Sequence, residues 1–297
     1  STQFNYFGGT SSEISNTLAI GKNKRYFLSG NTASNSGIAS IGAFDTALSG
    51  PEDDFIACFD ENLNLSWASY YGGATSEKYG TSRNGSYCDV DTNGFVYLLG
   101  NSSSPGLASS GAYDASINGL EDFFLAKFDS LGNRIWGTYF GGNFSDIATS
   151  IDVNNYNQIL MAGSSNSPDM EIKGLGFVSL SHNNNDIDAL LVQFAPDGQL
   201  IWSSPLGTAQ GNEFFNSVYF NNSNIIAGGT TTSAFGLAYT SSSTYGGGGD
   251  ALLARINDRA ITTLPISNSS LCPGDSILIN FSTIGKFPAN TIYRAEL

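Results

Sequence analysis

Four short apolar runs, each opened by an aspartate, set the rhythm of the chain. They read DDFIACFDENLNLSW from Asp53, DFFLAKFDSLGNRIW from Asp122, DALLVQFAPDGQLIW from Asp188 and DALLARINDRAITTL from Asp250. Stretches such as FIACF and LLVQF are apolar at nearly every position, which fits strands covered on both faces. Asp-Glu-Asn, Ser-Leu-Gly-Asn and Pro-Asp-Gly follow them, residues that close hairpins. Trp67, Trp136 and Trp202 mark the second strand of the first three hairpins, and the fourth has no tryptophan.

Upstream of each hairpin lies another. Its second strand is expected at Tyr26–Thr32, Val96–Ser102, Ile159–Ser165 and Ile225–Thr230, with Gly30, Gly100, Gly163 and Gly228 in matching places. A preceding strand is centred on Leu18–Ile20, Cys88–Val90, Ile151–Val153 and Asn216–Val218. The whole unit recurs at roughly 65-residue spacing. Long polar loops join its two hairpins, and the first two loops share Gly42–Asp45 (GAFD) and Gly111–Asp114 (GAYD). Four antiparallel strands per repeat predict an all-β fold, a β-propeller of four blades over residues 1–265.

The chain also opens on the end of its own repeat. Asn5–Gly9 (NYFGG) matches Ser69–Gly73 (SYYGG) and Thr138–Gly142 (TYFGG), which close the first two units. The third unit has Pro205–Thr208 (PLGT) at that place, and the fourth lacks its last strand. This predicts ring closure by pairing of Thr2–Phe7 with the last blade, beside Ala251–Ile256, which would remove two exposed sheet edges.

DVDTNGFVYLLGNS, EDFFLAKFDSLGNRIW and YFGG together resemble the SBBP-type β-propeller repeat of secreted bacterial proteins, over about Asn5 to Leu264. That family's name refers to seven blades, whereas four units occur here. Past Pro265 the repeat stops. Residues 266–297, with the turn Cys272–Asp275 and the alternating SILINFS, resemble the first strands of an immunoglobulin-like module of large Bacteroidota surface proteins. A complete sandwich of that kind needs roughly 100 residues, so this segment is expected to be a truncated start or a set of strands docked on the propeller. The two resemblances imply a secreted or outer-surface, adhesin-like protein with further domains, exported by type IX secretion.

Charge narrows the partners. With 12 Lys plus Arg against 26 Asp plus Glu, the formal net charge is −14. That disfavours nucleic acid, which needs a basic patch to neutralise phosphates. No apolar run approaches the ~20 residues of a membrane span. Cys58, Cys88 and Cys272 are too scattered for a disulfide framework or a CxxC metal site. A Cys58–Cys88 bridge or two packed thiols both remain open.

Candidate chemistry is sparse. Asp89, Asp91 and Asn93 fall in DVDTNG, the first half of a D-x-D-x-[DN]-G calcium loop, but Gly100 stands where the closing Glu belongs. The competing reading is a hairpin turn. Asp53, Asp122, Asp188 and Asp250 could form an acid ring, or accept backbone hydrogen bonds where their strands begin. Equivalent acids are poorly suited to catalysis, which needs unlike environments. The single histidine, His182, has no second His nearby, and no Gly-x-Ser-x-Gly occurs. Gly246–Asp250 lacks the Gly-Lys-Ser/Thr of a phosphate loop. No catalytic or cofactor residue is therefore assigned.

The expected function is a non-enzymatic binding or structural module. Its partner, protein or glycan, would meet the loops Ser34–Ala43, Ser102–Ala112, Ser164–Ser181 and Thr230–Gly249. The alternatives are a lectin and a carbohydrate-active lyase or hydrolase. The last would require convergence of non-repeated acids such as Glu52, Glu121, Asp169, Glu171 and Glu213.

Overall fold

The computed structural model describes residues 2–75, 77, 85–173, 186–207, 211–221, 224–232, 246–257, 260–263 and 281–284. Every element among them is a β-strand except one 3-10 turn at Lys22–Lys24. The first sheet holds β1 (Glu13–Ile20), β2 (Tyr26–Thr32), β3 (Asp53–Phe59) and β4 (Leu65–Tyr71) in that order. The second holds β5 (Tyr87–Val90), β6 (Val96–Ser102), β7 (Asp122–Phe128) and β8 (Arg134–Phe140). In the third lie β9 (Asp146–Val153), β10 (Ile159–Ser165), β11 (Asp188–Phe194) and β12 (Leu200–Leu206). The fourth has three strands, β13 (Glu213–Asn221), β14 (Asn224–Thr231) and β15 (Asp250–Asn257).

All neighbours within these sheets are antiparallel, so each unit is a meander of short connections. The expectation of four strands per unit holds for three sheets and fails for the fourth. There the next strand, β16 (Ala260–Thr263), pairs with β17 (Phe281–Ile284) instead of with β15. That pairing joins the end of the repeat to the SILINFS stretch. The rest of residues 266–297, Cys272 included, lies outside the described residues.

The middle strands β3, β6, β7, β10 and β11 are buried along their whole length, because both of their faces are covered. Three apolar clusters fill the spaces between successive sheets. Phe27, Ile56 and Trp67 of the first sheet meet Leu98, Phe124 and Phe128 of the second. Leu99, Phe123 and Phe140 of the second meet Met161, Leu190 and Phe194 of the third. Leu160, Leu191 and Trp202 of the third meet Phe215, Val218 and Ile225 of the fourth.

A fourth cluster lies on the outward face of the first sheet, where Phe55, Ala57, Phe59 and Tyr70 are covered in part by Phe7. The Phe7 ring sits 5.3 Å from Phe55 and 5.7 Å from Phe59. One sheet further on, Tyr71 meets Phe124 and Phe128 in the same way, at 4.9 and 5.9 Å. The opening NYFGG therefore stands before the first sheet as SYYGG stands before the second.

Residues 2–7 form no strand, and the expected ladder with Ala251–Ile256 does not occur among the described pairings. Aromatic burial anchors the segment instead, aided by the Asn5 side-chain amide donating to the Leu63 carbonyl at 2.6 Å. Removing residues 1–9 should lower the urea midpoint by an amount worth about 2 kcal/mol, since Phe7 is only partly buried and a fully buried Phe is worth 3–5. An unchanged midpoint would show that this contact contributes nothing.

Candidate functional site

The repeated acids resolve into two structural sets. Asp53 accepts the Ser49 and Gly50 amides at 2.8 and 3.2 Å, Asp122 the Asn118 amide at 2.9 Å, and Asp250 the Gly246 amide at 2.6 Å. These are the backbone-binding roles that the repeat suggested. The first glycine of the signature makes room for them: a Cβ on Gly72 or Gly141 would stand 2.5 or 2.4 Å from the Asp53 or Asp122 carboxyl.

A second set escaped the sequence reading. Glu13, Glu77 and Asp146 each lie four residues after the second signature glycine and accept its amide, at 3.2, 3.1 and 2.7 Å. Hydroxyls of the same sheet complete the contact, Ser102 on Glu77 and Ser167 on Asp146. Glu213 begins β13 in the corresponding place and accepts the Thr231 hydroxyl at 2.9 Å. The signal that could have found them is the Gly-Gly-x-x-x-acid spacing at residues 8–13, 72–77 and 141–146.

The calcium candidates do not converge. Asp91 takes the Asn93 and Phe95 amides at 2.8 and 2.9 Å and the Tyr97 hydroxyl at 3.1 Å, holding a tight turn at Gly94. Asp60, Asp129 and Asn154 hold three other hairpins by the same amide contacts at the second and fourth residues onward. Asp89 instead reaches the next sheet and accepts the Val153 amide at 2.7 Å. Among the described residues no group of three or more His, Cys, Asp or Glu is placed to hold a metal ion.

The tryptophans join sheets. Trp67 donates its indole N–H to the Ser130 carbonyl at 3.1 Å, and Trp136 to the Pro196 carbonyl at 3.2 Å, each reaching the last hairpin turn of the following sheet. Cys58 and Cys88 are buried free thiols, pushed by burial up to about 11 and 12, far from a reactive thiolate at neutral pH. His182 lies outside the described residues. So do residues 174–181 and 233–245, and with them parts of the third and fourth candidate loops.

One concavity differs in kind. Where the second sheet meets the third, a polar cavity of about 220 Å³ is lined by Tyr113, Asp114, Asn118, Asn143, Asp169 and Glu171, with Gly141 and Gly142 as part of its wall. Tyr113 is held by stacking on Phe140 at 6.4 Å and edge packing on Phe194 at 5.5 Å, and its hydroxyl donates to Glu171. The Asn118 amide group donates to Asp114 at 2.6 Å, and the Asn143 backbone to Asp169 at 2.8 Å. Of the acids singled out in the sequence, Asp169 and Glu171 meet here, whereas Glu52, Glu121 and Glu213 stand at strand starts elsewhere.

The preceding junction keeps the glycine pair and Asp45 at the place of Asp114, but not the rest of this lining. Ala74, Gly106 and Ala108 occupy the places of Asn143, Asp169 and Glu171. Arg134 closes the space, its guanidinium 4.3 Å from the Phe44 ring and donating to the Leu107 carbonyl at 2.6 Å. In the third sheet Leu200 stands at the place of Arg134.

Comparison of the chain with protein-family models finds no match, and comparison with curated proteins finds none either. The structure defines a class, an all-β protein of repeated antiparallel sheets.

Proposed function

We propose that the four sheets are blades of a β-propeller, and that the chain is a non-enzymatic binding module whose ligand is a polyhydroxylated one, a glycan. The observation that carries this reading is the contrast between the two junctions. Acids, glycines and tryptophans of the repeat are committed to packing, while Asn118, Asn143, Asp169 and Glu171 break the repeat at one place and gather around an aromatic ring. Rigid aromatic walls with Asp, Asn and Glu at the rim suit a sugar, which offers an apolar ring face and a fringe of hydroxyls.

Ring closure is supported by the two end faces. Ile14, Leu18, Ile20 and Tyr6 are exposed on the first sheet's side, as are Tyr219 and Leu253 on the fourth sheet. An apolar cleft of about 380 Å³ lined by Tyr6, Phe7, Leu18, Leu28 and Phe59 belongs to the first of these faces. Bringing the faces together would bury both and set residues 2–7 beside the free edge of β15. Secretion to the outer cell surface, in an adhesin-like parent, fits the acidic polar composition and the resemblance of the repeat to secreted bacterial proteins.

A glycan array with product analysis tests the function. Binding without turnover is expected, and Tyr113→Ala should weaken it at least tenfold. Turnover would favour a lyase or hydrolase using Asp169 and Glu171. Silence across the array would leave a structural spacer and sink the ligand reading.

A further inference from the structure

The junctions between sheets hold buried carboxyls that form no ion pair among the described residues. Between the first and second sheets lie Asp53, Asp54 and Glu77, each no more than 1% exposed. Asp54 accepts the Asn31 amide at 2.7 Å through Oδ1, and Glu77 accepts Gly73 N–H and the Ser102 hydroxyl through Oε1, both at 3.1 Å. Asp54 Oδ2 and Glu77 Oε2 make no hydrogen bond among the described residues, with the Ser86 and Ser104 hydroxyls nearby. Between the second and third sheets Asp122 and Asp146 are fully buried on either side of the Gly141-Gly142 corner. Each again keeps one oxygen, Oδ1, without a hydrogen bond among the described residues, with the Gly119 amide and the Ser165 hydroxyl nearby.

Among the described residues no cation forms an ion pair with these groups. The single ion pair among the described residues joins Lys24 to Glu61 on the surface. The ionisable groups around Asp54 and Glu77 are Asp53, Tyr71, Tyr87 and Tyr139. Those around Asp122 and Asp146 are Asp114, Asp169 and Tyr139. Arg134 acts on Tyr71 and Tyr139, but its guanidinium is engaged by the Leu107 carbonyl and the Phe44 ring. Ionised carboxylates facing one another in such surroundings are costly, and an unpaired oxygen adds the cost of an unmade hydrogen bond.

We propose that these inter-sheet carboxyls are proton-binding sites, so that protonation in mild acid tightens neighbouring sheets and proton loss above neutrality loosens them. A protonated carboxyl is neutral and adds an O–H donor that can point at a facing carboxylate. Burial is the largest influence on all of them. It drives Glu77 up to about 8 and Asp122 up to about 7, and it raises Asp54 and Asp146 as well.

The direction of the pH effect follows from those shifts. Folded values above the unfolded ones mean that the folded chain binds more protons. The stabilisation is complete below the unfolded carboxyl range near 4, and is lost as pH rises through about 7 to 8. Within that window each such group raises the unfolding constant by up to about tenfold per pH unit.

Urea unfolding of the whole chain at pH 5 and pH 8.5 tests this, with EDTA and with added calcium in parallel. The midpoint is expected to be higher at pH 5, and unbuffered refolding near pH 6.5 should take up protons. Glu77→Gln mimics the protonated acid and should shrink the difference between the two pH values. Asp122→Asn provides the same readout if the first variant does not fold. An equal or higher midpoint at pH 8.5, or no proton uptake, would overturn the proposal. Calcium that restores the alkaline midpoint of the parent but not of Glu77→Gln would overturn it in favour of a cation site.

Discussion

Replacing Trp67 with alanine is expected to destabilise the chain by about 3–5 kcal/mol, the range for a buried Trp or Phe truncated in a core. The ring is 7% exposed and lies between the first two sheets. It stacks on Phe128 with centroids 6.2 Å apart and a 27° interplanar angle, and it meets Phe27 at the same distance. Its N–H satisfies the Ser130 carbonyl in the β7–β8 turn, and the turn glycine Gly132 packs on its face: a Cβ there would come 2.7 Å from the ring. Truncation would open a cavity and leave that carbonyl to the Arg25 guanidinium, which also donates to it. Trp67→Phe keeps a ring and loses the donor, so it should recover most of the loss. Urea midpoints for the two variants decide the matter. A cost below about 1 kcal/mol for Trp67→Ala would mean that the sheets do not depend on this contact.

Gly163→Ala is the second large effect, expected at about 1–3 kcal/mol despite adding a single methyl. Gly163 lies on β10 opposite a register shift in β9. There the backbone of β9 comes so close that a Cβ would stand 2.0 Å from the Ile147 carbonyl oxygen and 2.7 Å from the Phe123 ring. Backbone cannot rotate away as a side chain can. Gly30 and Gly229 face the carbonyls of Ile14 and Phe214 at the corresponding irregularities of the first and fourth sheets. Gly94→Ala is the control: its φ of +88° makes a side chain strained, but nothing lies within 4 Å, so about 1 kcal/mol is expected. Similar losses at Gly163 and Gly94 would rule out close strand approach as the cause.

Those glycines show where reading by alignment goes wrong. The sequence IIAGGT offers two adjacent glycines, and Gly228 matches Gly30 and Gly163 by eye. Pairing corrects this by one residue. Thr231 lies opposite Asp250 as Thr32 lies opposite Asp53, which makes Gly229 the counterpart that meets the bulge. A one-residue slip exchanges the two faces of a strand, so the distinction is physical.

The DVDTNG motif shows the opposite limit. Its spacing permits calcium, yet the carboxylate of Asp89 points to Val153 of another sheet while Asp91 folds back on its own turn. Linear spacing cannot tell a ligand loop from an aspartate that replaces a missing backbone partner. The cavity beside Tyr113 was less legible still. Its acids come from two loops far apart along the chain, and only the packing of β8 and the third sheet brings them together.

The chain's own order of residues determined the repeat, the antiparallel hairpins, the aspartates that anchor their strands and the place of the tryptophans. These follow from local periodicity and turn chemistry, which act over a few residues and repeat visibly. Tertiary structure decided the rest: Phe7 anchored on the first sheet, the second set of acids beneath the Gly-Gly corners, and the polar cavity beside Tyr113 where the second sheet meets the third. Each depends on which side chains meet across a boundary between sheets, and that meeting is set by packing rather than by distance along the chain.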